Sequence, residues 1–155
     1  MSSTAKQFEN KTKACFLEIP GSTIDRLYDP TAQQLGIRNI CDFIGYRYPN
    51  IYYIECKTHT GKSISFNDIS QYDALCSKIG IQGVVAGILA WFTDIQKVYW
   101  IDIEFCRYVR EQLGSKSVGI RHLEYANGDN GRMLEVPSIF KRVYPQMDLT
   151  VLAKV

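Results

Sequence analysis

Residues 83-92 read GVVAGILAWF, ten positions without a charged side chain. A membrane-spanning helix needs about 20 such residues, roughly twice this length. A short apolar run bounded by turn signals fits a strand buried on both faces, and here Gly80 and Gly83 precede it and a polar turn follows. Both faces of such a strand must be covered, so the chain is expected to be an α/β domain with helices packed against a central sheet.

The remaining elements follow from changes in hydrophobic period. Ala5, Phe8, Thr12, Cys15 and Phe16 fall on one face at helical spacing, with Pro20-Gly21 as the stop and Glu9 beside that face. Residues 21-39 carry Pro30, two glycines and many polar side chains, and suit a loop or an irregular extended segment. Residues 41-48 and 51-58, rich in Ile, Tyr and Phe and separated by Pro49-Asn50, predict a hairpin. Asn67 or Asp68 can cap a helix whose apolar face is Ile69, Tyr72, Cys76 and Ile79 and which Gly80 ends, with Gln71 close to that face. Residues 98-103 predict a strand, 104-113 a helix, and 149-155 a last strand, completing a mixed sheet.

With 155 residues and 46% apolar content, one well-packed core is expected across 1-155 as a single domain. The polar start, residues 1-10, does not read as a signal peptide, so a soluble, unprocessed protein without membrane contact is expected. Five scattered cysteines without a C-x-x-C pair suit reduced thiols in a cytoplasm. A net charge of +2 neither requires nor excludes a nucleic-acid partner, because carboxylates gathered in a metal site mask basic surface elsewhere.

Strand alternation concentrates the chemistry. Residues 51, 53, 55 and 57 share one side of their strand, so Glu55 and Lys57 point the same way, while Tyr52, Ile54 and Cys56 point the other. Asp42, near the start of the first hairpin strand, can lie beside Glu55 near the end of the second. Two carboxylates and a backbone carbonyl suffice for magnesium, which takes oxygen ligands and keeps several waters, and a lysine beside them can meet an attacking water or the charge developing on a phosphate. An acidic residue two positions before a lysine is most often only a solvated strand face with an ion pair. The setting here is more specific: the pair follows the aromatic-rich run 51-54 and precedes a turn, where a charged strand end opens onto a cleft.

The stretch 41-CDFIGYRYPNIYYIECKTHTGKSISFNDISQYDAL-75 resembles the PD-(D/E)xK nuclease superfamily and, within it, RecU-type Holliday junction resolvases and related phage proteins. The resemblance extends through 83-92 and 98-VYWIDI-103. It implies a restriction-endonuclease-like mixed central sheet flanked by helices. It also implies catalytic roles for Asp42, Glu55, Lys57 and Gln71, and Mg2+ held by Asp42, Glu55 and the backbone carbonyl of Cys56, with Mn2+ expected to substitute. Glu9 matches an acidic residue that such nucleases contribute from an N-terminal helix; an ordinary exposed helix carboxylate is the equal alternative. Cys41 stands where the superfamily name expects proline, a position that is no ligand. The segment where RecU-type resolvases carry a longer projecting stalk is only 21-39 here.

The implied activity is metal-dependent cleavage of branched DNA in recombination, replication or repair, by a homodimer with two active sites, fitting a phage-encoded protein. The alternatives are a restriction-like or nicking endonuclease on duplex or single-stranded DNA, and a DNA-binding module without turnover. Arg26, Arg38 and Arg47 surround the region and are candidates for phosphate contacts. Tyr28, Tyr46 and Tyr48 suit packing better than base stacking, His59 suits a polar turn better than a general base, and His122 has no recognisable partner. No P-loop, dinucleotide motif or Ser/His/Asp arrangement is present, which removes support for ATP use, redox chemistry and serine-type hydrolysis.

Overall fold

The computed structural model describes residues 4–27 and 39–153. The apolar run forms β5 (Val84–Phe92), whose seven C-terminal residues are all buried. It pairs in parallel with β3 (Asn50–His59) and antiparallel with β6 (Lys97–Asp102). The hairpin partner β2 (Phe43–Arg47) lies antiparallel to β3, with Phe43 opposite Ile54 and Arg47 opposite Asn50. Two further strands extend the edges, β1 (Ser22–Arg26) beside β2 and β8 (Met133–Val136) beside β6. The result is a mixed six-stranded sheet in the order β1-β2-β3-β5-β6-β8. Helices flank it, so the fold is α/β with the mixed central sheet expected from the sequence.

Each face of the sheet has its own core. On one side α1 (Thr4–Phe16) buries Phe8, Thr12, Cys15 and Phe16 against Tyr52, Ile54, Leu89 and Trp91. The same layer is completed by β9 (Ser138–Lys141), β10 (Tyr144–Met147) and a 3-10 turn over Leu149–Ala153. On the other side, β4 (Ser63–Ser65), α2 (Tyr72–Cys76), α3 (Ile103–Glu111) and β7 (Ser117–Gly119) enclose Ile64, Phe66, Ile88, Phe92 and Phe105. Gly45 permits the tight seating of α1, because a Cβ there would stand 2.7 Å from Cζ of the fully buried Phe16.

Four expectations change. The segment after α1 is not wholly irregular: residues 22–26 form edge strand β1, built around the single buried Ile24. The helix expected to run unbroken to Gly80 is instead a 3-10 turn over Phe66–Asp68 followed by the five-residue α2. The buried side chains there are Phe66, Ile69, Tyr72 and Leu75, a three-residue spacing that favours 3-10 over α geometry. Ser65 rather than Asn67 or Asp68 supplies the cap, accepting from the Asn67 N–H at 3.3 Å. In the tail, residues 149–153 form a 3-10 turn burying Leu149 and Leu152, again three apart, where a strand was expected, while β8, β9 and β10 were not anticipated.

Candidate active site

The C-terminal half of β3 outruns β2. Beyond the Phe43–Ile54 pair, the β2-side edge of β3 has no strand partner among the described residues, and the chain entering β2 fills the gap with a side chain. Oδ2 of Asp42 accepts a hydrogen bond from the Cys56 N–H at 2.8 Å. The Asp42 backbone is held from both sides: its N–H donates to the Ile54 carbonyl at 3.1 Å and its carbonyl accepts from the Leu27 N–H at 2.9 Å. Within a strand, a residue's N–H and C=O point to the same edge, so the Cys56 carbonyl shares the edge that Asp42 occupies.

Glu55 and Lys57 project together as strand alternation requires. Lys57 Nζ lies 3.4 Å from Oε2 of Glu55, whose side chain is only 3% exposed. The other oxygen, Oε1, is buried, and no donor among the described residues reaches it. The carboxylate of Asp42 is within hydrogen-bonding reach of Glu55, but it too is an acceptor unless a proton lies between them. Burial first, and the charge of Asp42 second, push the Glu55 carboxyl up to about 8, against the pull of Lys57. Burial also raises the Asp42 carboxyl, opposed chiefly by the Cys56 N–H and by Lys57.

Two desolvated carboxylates, Glu55 raised further by the charge of Asp42 and carrying an oxygen that no described donor reaches, call for positive charge between them: a proton or a cation. Their all-oxygen character suits a hard divalent ion such as magnesium. Asp42, Glu55 and the Cys56 carbonyl are the groups that would hold such an ion. No group of three or more His, Cys, Asp or Glu side chains among the described residues is arranged to hold a metal. Glu9 approaches the pair from α1. It senses the Asp42 charge, which with burial raises its carboxyl, and it is engaged by Arg26 Nη2 at 3.1 Å.

The other sequence candidates are distributed as follows. Arg26, at the end of β1 opposite Phe43, serves the site's edge through Glu9 and through a position 6.0 Å from the Phe43 ring. Arg47 sits at the far end of the hairpin, five strand residues and about 16 Å from Asp42, donating to the Tyr48 carbonyl at 3.4 Å. Arg38 and Tyr28 lie outside the described residues. Gln71 immediately precedes α2 and accepts from the Ser70 hydroxyl at 2.7 Å; no described hydrogen bond joins it to Glu55 or Lys57. His59 accepts the Gly61 N–H at 3.0 Å, a turn contact. His122 is buried and accepts from the Gly119 N–H at 3.1 Å, another turn contact. Sequence reasoning missed the Arg26–Glu9 pair, which depends on α1 docking across β1 and leaves no local signal.

No family model and no curated protein matches the chain. Among solved structures, the chain is similar to Hjc, a Holliday junction resolvase from the archaeal hyperthermophile Archaeoglobus fulgidus. The identity is 14%, the match covers 64% of this chain and 76% of that one, and the TM-score is 0.42. No helix among the described residues is long and apolar enough to cross a membrane.

Proposed function

We propose that the protein is a metal-dependent DNA endonuclease that hydrolyses phosphodiester bonds in branched DNA. The observation that carries this reading is the convergence of Asp42, Glu55 and Lys57 where β3 outruns β2, with a buried carboxylate oxygen that no described donor reaches. Asp42, Glu55 and the Cys56 carbonyl would hold magnesium or manganese. When bound, that ion supplies activation of water and neutralisation of charge at the scissile phosphate.

The protein's own groups do the rest. Lys57 is the nearby side chain that can donate to the attacking water or to a phosphate oxygen, and its tether to Glu55 keeps the ammonium beside the ligands. Glu9 and Arg26 brace the edge of the site, Arg26 as a candidate phosphate contact; Gln71 is assigned to the nucleophilic water on the strength of the sequence resemblance. Four-way junctions as the substrate also rest on the sequence resemblance to RecU-type resolvases, and two symmetric nicks imply a homodimer. A phage-encoded protein acting in the bacterial cytoplasm fits this reading.

The test is cleavage of matched four-way, three-way, linear duplex and single-stranded DNA with magnesium or with EDTA. Paired nicks confined to the four-way junction and lost with EDTA are expected. Equal cutting of all substrates would replace the junction assignment with a general endonuclease. A folded protein that binds DNA without cutting it would contradict the enzymatic reading.

A further inference from the structure

The segments joined by the β4–β7 ladder are one-sided in charge. Residues 56–67, which lead from β3 through β4, and residues 112–123, which hold β7 and the turn after it, contain four lysines or arginines and no Asp or Glu. Register pairs Ser63 with Gly119 and Ser65 with Ser117, and the Ile120 N–H donates to the Lys62 carbonyl at 3.1 Å, so the two segments form one surface. Ile64 and Val118 are buried, and strand alternation turns Ser63, Ser65 and Ser117 the other way. The core that Ile64 and Val118 enter also holds Ile88 and Ala90, the residues opposite Glu55 and Lys57 in the parallel β3–β5 pair. The ladder therefore covers the sheet face that bears Glu55 and Lys57. Five residues separate Lys57 from Lys62, so the Arg121 Cα stands no more than about 27 Å from that of Lys57.

Arg121 leaves this ladder with its guanidinium held by neutral groups. Nη2 donates to the hydroxyls of Ser115 and Ser117 at 3.0 and 3.1 Å, and no carboxylate among the described residues forms an ion pair with it. Nε stands 3.3 Å from Nε2 of His122, a residue only 5% exposed. The distance suits a hydrogen bond, but the protons do not. A neutral imidazole accepts at one nitrogen, and Nδ1 already accepts the Gly119 N–H at 3.1 Å, so the hydrogen-bond network assigns the ring proton to Nε2. Burial first and the Arg121 charge second hold the His122 pKa below the ordinary histidine value, which keeps the ring neutral. The Arg121 Nε–H and the His122 Nε2–H thus face each other, two donors with no acceptor among the described residues between them.

Two N–H donors turned toward each other, beside two serine hydroxyls and unopposed by a carboxylate, make a receptor for an oxyanion. One oxygen accepting from both N–H groups replaces the donor–donor contact with two hydrogen bonds. We infer that Arg121 and His122 bind a backbone phosphate of the DNA, at a distance from the phosphate that is cut. The inference rests on the nuclease reading for the identity of the polyanion and deepens it, extending the substrate contact into the last third of the chain. A phosphodiester backbone suits the setting better than a free phosphate. Lys57, Lys62, Lys116 and Arg121 supply positive charge at several points of the two joined segments, and each strand of a duplex presents a phosphate about every 3.4 Å along its axis. Contacts of this kind fix the position of a DNA arm without reading its sequence.

Arg121→Gln removes the charge and keeps an amide that can still meet the serine hydroxyls. Binding of a fluorescent four-way junction by the metal-free protein in EDTA, followed over a range of KCl concentrations, separates binding from cleavage. The variant should bind about tenfold more weakly, and its plot of log affinity against log salt should be shallower by about 0.9, the share of one phosphate. Lys13→Gln, an equal charge loss at an exposed position on α1, should leave both quantities near the wild type. In nitrogen-15 spectra of the wild type, the Arg121 Nε–H and His122 Nε2–H signals should shift together as DNA is added, and inorganic phosphate at the same phosphate concentration should not saturate the shift. Unchanged affinity and slope in Arg121→Gln, an equal loss in Lys13→Gln, or saturation by inorganic phosphate as readily as by DNA would overturn the inference, and wild-type cleavage would still decide the nuclease reading. A protein that binds DNA through Arg121 yet cuts none would keep the phosphate contact and lose only the nuclease reading.

Discussion

Asp42 takes the place of a missing strand partner for Cys56: its carboxylate, not a carbonyl of β2, accepts the Cys56 N–H at 2.8 Å. One residue thereby ends the β2–β3 ladder and brings its second oxygen to the edge where Glu55 and the Cys56 carbonyl lie. Asn can accept the same hydrogen bond without the charge. Asp42→Asn is therefore expected to keep the fold and DNA binding while abolishing magnesium-dependent cleavage, checked by circular dichroism, electrophoretic mobility shift and a cleavage time course. Cleavage at the wild-type rate would remove Asp42 from the site.

The raised Glu55 carboxyl predicts a pH dependence of stability in the metal-free protein. Its ordinary value is 4.5 and its folded value about 8, so between these the folded chain holds more protons than the unfolded chain and stability falls as pH rises. Glu55→Gln should match the wild type below the lower value and exceed it by at least about 1 kcal/mol at the upper one. Urea denaturation in EDTA across this range checks the sign; parallel profiles for the two proteins would show that Glu55 is not held protonated.

The same carboxyl couples metal binding to proton release. At neutral pH, metal binding should release about one proton, and affinity should rise about tenfold per pH unit until Glu55 is ionised. Calorimetry of Mn2+ binding in buffers of different ionisation enthalpy measures the release directly. Binding without proton release would place the metal elsewhere.

Lys57 is 26% exposed and carries no metal-ligating charge, so its role separates from that of the carboxylates. Lys57→Ala should bind Mn2+ as the wild type does and cleave about 10²–10³-fold more slowly, the usual cost of losing one donor at developing charge. A change confined to DNA affinity would make it a phosphate contact only. Glu9→Gln should weaken metal affinity by about 10–100-fold, at least the range for a group that supports the ligands.

The positions of these groups were legible in sequence to unequal degrees. Asp42, Glu55 and Lys57 could be placed together because they lie within one hairpin, where alternation and register are local. β5 was legible because ten uncharged residues admit few other structures. Edge strand β1, with only Ile24 buried, offered almost no pattern. The breaks in the helix after β4 and in the tail came from three-residue spacing of buried side chains, which over a single turn resembles the helical period. The Arg26–Glu9 pair depends on how α1 seats against the sheet through Phe8 and Phe16, and that information is spread along the chain. Gly45→Ala tests this seating: the added methyl should cost about 1–3 kcal/mol, read as a lower urea midpoint, because Phe16 has no room to yield.

The most direct test of the central claim is to locate the cation. Crystals soaked in manganese and measured at its absorption edge should show an anomalous peak within ligand distance of Asp42, Glu55 and the Cys56 carbonyl, absent from Asp42→Asn crystals grown alike. A peak at a different cluster, or none in crystals of a protein that cleaves DNA with manganese, would contradict the site.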